Sequence, residues 1–224
     1  MEAHFFTLGE AALGLQLRRK TSSTANAPFD LPQQKKIWSC AAQVRHLDGV
    51  VDAVPGMNNL TLIFDPDKCA GDQLLRELQQ AWQNSSASDY APRHYDLPVS
   101  YGGVSGPDLE EVAAHANLSV SSLIAMHTDI VYSVYFLGFQ PGFAYLGDLP
   151  KQLHCPRRAE PRLRVPAGSV AIGGAQTGIY PQASPGGWQI IGRTNIRCFD
   201  ASKAAPSLFL PGDTVQFIAN DFFT

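Results

Sequence analysis

The sequence offers little that would make it a membrane, disulfide or metal protein. Its four cysteines are spread along 224 residues without a Cys-x-x-Cys pair, which argues against a zinc site and a disulfide framework. No apolar run approaches the roughly 20 residues needed to cross a bilayer. The N-terminus also lacks the basic and apolar stretches of a secretory signal. We therefore expect a cytoplasmic protein with reduced thiols, no bound metal and no membrane contact.

Charge is also scarce, since only 17% of the residues are Asp, Glu, Lys or Arg and the formal net charge is -3. A nucleic-acid or membrane-surface protein would usually show a basic excess, so we expect neither partner. The charge is unevenly distributed. Residues 138–194 contain six basic and two acidic side chains, an excess of +4, which leaves -7 for the rest of the chain. A local positive field suits a small anionic ligand, although crowded arginines also serve as structural partners of carboxylates.

Several catalytic signatures are missing. The sequence has no Gly-x-x-x-x-Gly-Lys-Ser/Thr loop for nucleotide phosphates. It has no Gly-x-Ser-x-Gly nucleophile elbow and no convincing Ser-Lys amidase arrangement. We therefore expect the chain by itself to lack amide-hydrolysing activity.

The first third of the chain alternates between strand and helix patterns. Short apolar strands are predicted at residues 4–8 and 12–17, and Asp30 with Pro32 marks the start of a helix. Two further strands at 50–54 and 60–64 precede a second amphipathic helix, with Asp72 as its expected cap. The order of elements predicts a ferredoxin-like α/β sandwich over residues 1–86.

A polar stretch at residues 84–89 is typical of an interdomain connection, and we predict a second domain over residues 87–224. It begins with a strand at 95–99, a helix starting at Pro107 and a second helix capped by Ser119. Its remainder consists of short strands bounded by Gly and Pro, at 131–139, 169–172, 188–191 and 214–218. This pattern predicts a β-barrel or sandwich, so the chain as a whole belongs to the α+β class.

Residues 138–194 contain ten of the 19 glycines and seven of the 16 prolines. Gly permits positive φ and close backbone approach, whereas Pro fixes φ, so together they favour long loops of one defined shape. Such loops on a rigid scaffold are suitable for ligand binding. The alternative is that each of these residues only turns a corner between short strands.

The order of the motifs in this segment is more specific than its composition. The motifs are Gly138-Phe139-Gln140-Pro141-Gly142, Pro156-Arg157-Arg158, Val165-Pro166-Ala167-Gly168, Gly173-Gly174-Ala175-Gln176-Thr177-Gly178 and Ser184-Pro185-Gly186-Gly187-Trp188. Together with Pro55-Gly56-Met57-Asn58-Asn59 in the first third, they resemble the family named for allophanate hydrolase subunit 1, and within it the 5-oxoprolinase branch.

The resemblance implies a cyclophilin-like barrel for the second domain. It also implies a subunit of an ATP-dependent enzyme that converts 5-oxo-L-proline to L-glutamate. The expected partners are a second, larger barrel subunit, which is the C component of 5-oxoprolinase, and the A component, which is of the lactam-utilisation type. ATP, with Mg²⁺, is expected to bind in the assembled complex. In related urea carboxylase the ligand site lies between two such barrels, so this chain would supply only part of a site.

Candidate site residues follow from this expectation. A carboxylate ligand needs cations or backbone amides, and a lactam oxygen needs further donors. His127 is the candidate general base, with a structural histidine as its alternative. The substrate-binding candidates are Arg158, Arg162, Gln140, Gln176, Thr177, Tyr180, Ser184, Gly186 and Gly187.

Two other functions remain open. Members of the same family resemble an inhibitor of a sporulation histidine kinase, so the chain would then be a binding module and not part of an enzyme. Prolyl isomerisation is a third hypothesis, resting only on the cyclophilin-like barrel, and a fold by itself does not determine function.

Overall fold

The computed structural model describes residues 1–18, 30–87 and 91–220, and the chain divides into two compact units, Met1–Ala91 and Pro92–Thr224. Residues 88 and 89 of the predicted connection at 84–89 lie outside the described residues. Among the described residues, no helix combines the length and the apolarity needed to cross a bilayer.

Over its described residues, the first unit is a four-stranded antiparallel sheet with two helices. Its sheet has the order β1-β2-β4-β3, and both helices contact it. The elements are β1 (Glu2–Leu8), β2 (Ala12–Arg18), α1 (Leu31–Val44), β3 (Val50–Gly56), β4 (Asn59–Phe64) and α2 (Gly71–Asn84). The predicted ferredoxin-like sandwich is confirmed.

Period-two burial along the strands makes the core of this unit. Leu13, Leu15 and Leu17 of β2 are buried on one face, and Leu60 and Leu62 of β4 continue that face. The apolar sides of α1 and α2 cover it, so the core consists of one sheet face and two helical stripes.

The helix starts of the first unit show which capping predictions were correct. α1 begins directly after Asp30 as predicted, and the Asp30 side chain caps it by accepting a hydrogen bond from the Gln33 backbone N–H at 3.1 Å. The cap predicted for α2 was wrong. Ala70 occupies that position without a side-chain hydrogen bond, and Asp72 lies in the first turn, where its charge complements the helix dipole.

The second unit contains the closed barrel. Seven strands close in the order β10-β7-β6-β13-β5-β12-β9, and the pairing is antiparallel except between β13 and β5. The barrel strands are β5 (His94–Tyr101), β6 (Val131–Leu137), β7 (Ala144–Leu146), β9 (Ser169–Gly173), β10 (Gln176–Ile179), β12 (Gln189–Arg193) and β13 (Thr214–Ala219). The predicted α+β class with a C-terminal barrel is confirmed.

Shorter elements surround the barrel. The helices are α3 (Leu109–His115), α4 (Val120–Thr128) and a 3-10 turn at Lys151–Leu153. A separate two-stranded sheet is formed by β8 (Arg162–Val165) and β11 (Ser184–Gly186). Ser119 caps α4 as predicted, whereas α3 begins two residues after Pro107.

Strand β9 is buried along its whole length because it separates two cores. Val170 and Ile172 belong to the barrel interior, whereas Ala171 faces a second cluster outside it. We call this second group the outer cluster, and its buried members are Phe143, Val165, Ala171, Tyr180, Trp188 and Ile190. Residues 138–194 therefore supply several strands of the barrel and also the aromatic side chains of the outer cluster, which cover those strands.

Candidate functional site

A cleft of about 470 Å³ lies beside the barrel, between α3 and the segment that follows the 3-10 turn. Glu111 and His115 are four residues apart in α3 and therefore share a helix face. Gln189, the first residue of β12, also lines the cleft. The remaining lining residues are Cys155, Pro156, Arg157, Arg158, Ala159 and Glu160.

Beside the cleft, a buried carboxylate holds two of the predicted anion-binding arginines. Asp108 is only 3% exposed and directly precedes α3. Arg162 donates to both of its oxygens, at 2.8 and 2.6 Å, and Arg158 donates one Nη hydrogen at 3.2 Å. The backbone N–H of Ile190 completes the set at 2.6 Å. This bidentate, charge-assisted geometry is typical of a fixed ion pair, so the terminal nitrogens of Arg162 are already engaged.

Arg157 and Cys155 contribute differently to the same cleft. The guanidinium of Arg157 lies over the Trp188 ring at 5.8 Å and is exposed, so it places a positive charge at the cleft mouth. Burial raises the pKa of the Cys155 thiol, and the carboxylates of Glu111 and Asp108 raise it further. Cys155 is therefore a neutral thiol at physiological pH and a poor nucleophile.

His127 lies inside the barrel and not in the cleft. Its side chain is completely buried, with Nδ1 2.8 Å from the Tyr101 hydroxyl and Nε2 3.0 Å from Thr177 Oγ1. The Thr177 hydroxyl donates its own hydrogen to the Ala171 carbonyl, so it must accept from Nε2–H. Nδ1 is then the acceptor for Tyr101, and the ring is neutral.

Desolvation lowers the pKa of His127 from 6.5 to about 3, which agrees with the neutral tautomer. Its ring stacks on Phe217, with centroids 4.6 Å apart. A general base must reach its substrate, and this ring is enclosed by barrel side chains. The geometry therefore favours the structural alternative for His127, and the catalytic role remains a prediction.

The other predicted site residues do not meet in one cavity. Thr177 lies in the barrel interior with His127, whereas Tyr180 is 2% exposed and belongs to the outer cluster. Its hydroxyl accepts a hydrogen bond from the Trp188 backbone. A Cβ at Gly186 would lie 2.4 Å from that hydroxyl, so this glycine permits close packing of β11 on the ring.

Three more candidates lie in loops or strand ends around these cores. Gln140 Nε2 is 3.5 Å from the Gln182 carbonyl, which ties two loops together at the limit of a hydrogen bond. Gln176 begins β10, and its buried Nε2 has no partner among the described residues. Ser184 begins β11, where it pairs with Val165 of β8.

Gly187 lies next to the cleft, because its carbonyl accepts a 2.8 Å hydrogen bond from the backbone N–H of Arg158, which lines the cleft. Two other adjacent glycines, Gly173 and Gly174, would be suitable backbone donors for an anion if their amides were open. The N–H of Gly174, however, donates to the Cys155 carbonyl at 2.7 Å, and Gly173 packs under the Trp188 ring. Gly174 is therefore not available as an amide donor in this structure.

Asp108 and Gln189 were not identified from the sequence. Asp108 follows a proline at a helix start, where acidic residues are common for local reasons. The sequence around it therefore gives no sign that it pairs with two distant arginines. For Gln189 the sequence does contain a local signal. It is a polar residue inside the apolar run Trp188-Gln189-Ile190-Ile191, and a buried amide needs a specific partner. Within the part of the chain that is described, no three His, Cys, Asp or Glu side chains are grouped for a metal.

Comparisons with known proteins identify relatives of the whole chain. The family described as carboxyltransferase domain, subdomain C and D, matches residues 8–209. A protein of Escherichia coli O157:H7, named as the B subunit of 5-oxoprolinase, is 49% identical over 217 residues, covering 96% of this chain and 95% of the relative. A protein of the same name from Haemophilus influenzae is also 49% identical, over 85% of this chain and 89% of its own length.

Among solved structures, the crystal structure of TTHA0988 superimposes with a TM-score of 0.77 at 35% identity. The match covers 93% of this chain but only 40% of TTHA0988, so the present fold corresponds to less than half of that longer chain. The fold therefore forms part of a longer chain in TTHA0988, whereas this chain covers 95% of the Escherichia coli relative.

Proposed function

Because the chain belongs to the carboxyltransferase-domain family of subdomains C and D, and within it to the 5-oxoprolinase B subunits, we propose that it is a subunit of an ATP-dependent 5-oxoprolinase. The assembled enzyme would convert 5-oxo-L-proline to L-glutamate in the cytoplasm. The observation that carries the proposal is the near full-length match to the Escherichia coli relative at 49% identity.

The name of these relatives implies further subunits, and we propose two. One is a second barrel subunit, the C component of the enzyme, and the other is the A component, of the lactam-utilisation type. The cleft beside α3 supports a shared site, because its described lining contains binding groups but no activated nucleophile. Burial and nearby carboxylates keep its thiol, Cys155, neutral, and His127 lies inside the barrel.

The cleft fits a small monoanion better than a triphosphate. Arg158 and Arg162 share the buried carboxylate of Asp108, and two exposed acids, Glu111 and Glu160, line the same cleft. A triphosphate needs several uncompensated donors and a magnesium site. We therefore propose that the nucleotide site consists largely of partner residues. When bound in the assembled enzyme, ATP would supply a phosphoryl group to the lactam oxygen, which would make the ring carbonyl carbon open to attack by water.

Reconstitution tests this function. The chain is mixed with the two proposed partners, and glutamate formed and ATP hydrolysed are measured with each component omitted in turn. We expect the complete mixture to couple the two reactions and the isolated chain to be inactive. If both rates were the same without this chain, the proposal would be wrong. Inhibition of a sensor histidine kinase would then be the function to test.

A further inference from the structure

One wall of the cleft contains a buried amide oxygen that nothing in the described part of the chain satisfies. Gln189 is 6% exposed, and its Nε2 donates to the Pro156 carbonyl at 3.2 Å. This hydrogen bond determines the orientation of the amide, since a carbonyl can pair only with the NH₂ end. Oε1 consequently has no hydrogen-bond donor among the described residues. Buried polar atoms in folded proteins are normally paired, so an unpaired acceptor indicates a missing partner.

The same wall contains an unpaired donor. Arg158 gives one Nη hydrogen to Asp108, while its Nε is buried without a partner in the described ranges. The arginine is held in place from both ends, because its backbone N–H also donates to the Gly187 carbonyl. Both residues line the cleft, so its wall holds one unpaired acceptor and one unpaired donor, each just beneath the surface.

The mouth of the cleft contains an exposed positive charge, the guanidinium of Arg157. Arg157 is exposed above the Trp188 ring, and among the described residues it forms no ion pair. Glu111 and Glu160 also line the cleft, but both are exposed, where solvent screens them. A carboxylate beside Arg157 would therefore gain a cation without burying either acid.

We propose that this cleft binds a lactam carboxylate through three groups of this chain. The lactam N–H donates to Gln189 Oε1, a ligand oxygen accepts from Arg158 Nε, and the carboxylate pairs with Arg157. The proposal rests on the proposed function for the choice of 5-oxo-L-proline as ligand. It adds Gln189 and Arg157 as determinants of specificity.

The chemistry of the ligand explains why a lactam fits better than related molecules. A five-membered lactam has a cis amide, so its N–H and C=O lie on the same side and can meet a donor and an acceptor in one wall. An ordinary peptide bond is trans and presents these groups on opposite sides. A simple carboxylate has no donor for Gln189 Oε1, and leaving that oxygen unpaired costs affinity.

Binding to the isolated full chain tests the proposal directly. Calorimetric titration would compare 5-oxo-L-proline with cyclopentanecarboxylate, which lacks the amide, and with 2-pyrrolidone, which lacks the carboxylate. The variants are Gln189→Met, which removes the acceptor at similar size, and Arg157→Gln on the surface. Arg164→Gln is the matched control, because Arg164 is exposed in β8 and does not line the cleft.

We expect 5-oxo-L-proline to bind at least tenfold more tightly than either analogue. Gln189→Met should remove most of the difference in affinity between 5-oxo-L-proline and cyclopentanecarboxylate. Arg157→Gln should remove most of the difference in affinity between 5-oxo-L-proline and 2-pyrrolidone. In the reconstituted enzyme, both variants should raise the KM for 5-oxo-L-proline at least tenfold with little change in kcat. Arg164→Gln should change neither quantity.

Two results would overturn the inference. One is equal affinity for the three ligands, and the other is unchanged binding and KM in both cleft variants, which would mean that the unpaired atoms serve only an ordered water. Arg157→Gln remains informative even if Gln189→Met does not fold. An enzyme that needs this chain but ignores the cleft variants would refute the inference and leave the proposed function standing. If the chain bound the lactam but could be omitted without changing either rate, the proposed function would be refuted and the inference would stand.

Discussion

Acidification should destabilise the barrel unit through His127, well before the ring itself is protonated in the folded state. Burial lowers the pKa of this histidine to about 3, from 6.5 in an exposed chain. As the pH falls below 6.5, His127 is protonated in the unfolded state but stays neutral in the folded state. The contribution of His127 to the free energy of unfolding is therefore fully present above pH 6.5 and is lost progressively as the pH falls toward 3. Between pH 8 and pH 5 the loss from this residue is about 2 kcal/mol, at about 1.4 kcal/mol per pH unit.

Urea unfolding at pH 8, 7, 6 and 5 measures this effect. Trp188 is the only one of the three tryptophans in the second unit, so a Trp38→Phe, Trp82→Phe background makes fluorescence specific for that unit. The perturbation is His127→Gln, which removes the titrating group and keeps a polar side chain. His115→Gln is the control, because His115 is exposed on α3.

The decisive quantity is the difference in free energy of unfolding between His127 and its glutamine variant. It should shrink by about 2 kcal/mol from pH 8 to pH 5, because only the histidine form loses stability in that range. The control variant should retain the pH dependence of the parent. Parallel curves for the parent and His127→Gln across this range would refute the reasoning, since they would mean that His127 takes up its proton equally in both states.

Three further predictions concern the second unit and the thiols. Asp108→Asn should destabilise the protein by about 3 kcal/mol in urea unfolding, because it leaves two arginines around a neutral group, whereas Asp96→Asn on the surface should change it by less than about 0.5 kcal/mol. Gly147→Ala should cost about 3 kcal/mol in the same assay, since its Cβ would lie 1.6 Å from a buried tyrosine ring, and Gly138→Ala, with its nearest neighbour at 3.6 Å, should cost about 1 kcal/mol or less. Of the four free thiols, only Cys69 is partly exposed, although desolvation and nearby carboxylates raise its pKa, so a thiol reagent at pH 8 should modify this one group slowly in the folded protein and the other three only on unfolding.

The elements that could be predicted from the sequence are those whose signals are local. Asp30 followed by Pro32 indicates a helix start within three residues, and the structure confirms it. At α2, however, the N-cap is Ala70, and the acidic residue Asp72 comes two positions after it. Acidic residues are favoured both at the cap and in the first turn, so the sequence alone does not distinguish the two positions. Local signals therefore predicted the type and order of the elements better than their ends.

The candidate site depends on contacts that no local pattern shows. Asp108 pairs with Arg158 and Arg162 across 50 and 54 positions of the chain. The burial of Thr177 and Tyr180 follows from barrel closure and from the aromatic layer outside it, which are properties of the folded chain. A polar residue in a Gly-rich loop and a polar residue in a closed barrel look alike in sequence.

The positive charge of residues 138–194 illustrates the same limit and changes what ligand the site should accept. The segment alone has an excess of +4, but Asp108 lies outside it and inserts its carboxylate between two of the six basic side chains. The combined charge falls to +3, and another cation, Arg193, donates to the Ala167 carbonyl. What remains at the cleft is the exposed Arg157 and the unused Nε of Arg158. These groups can balance one carboxylate but not a triphosphate, so we expect 5-oxo-L-proline to bind the isolated chain and ATP to require the partners.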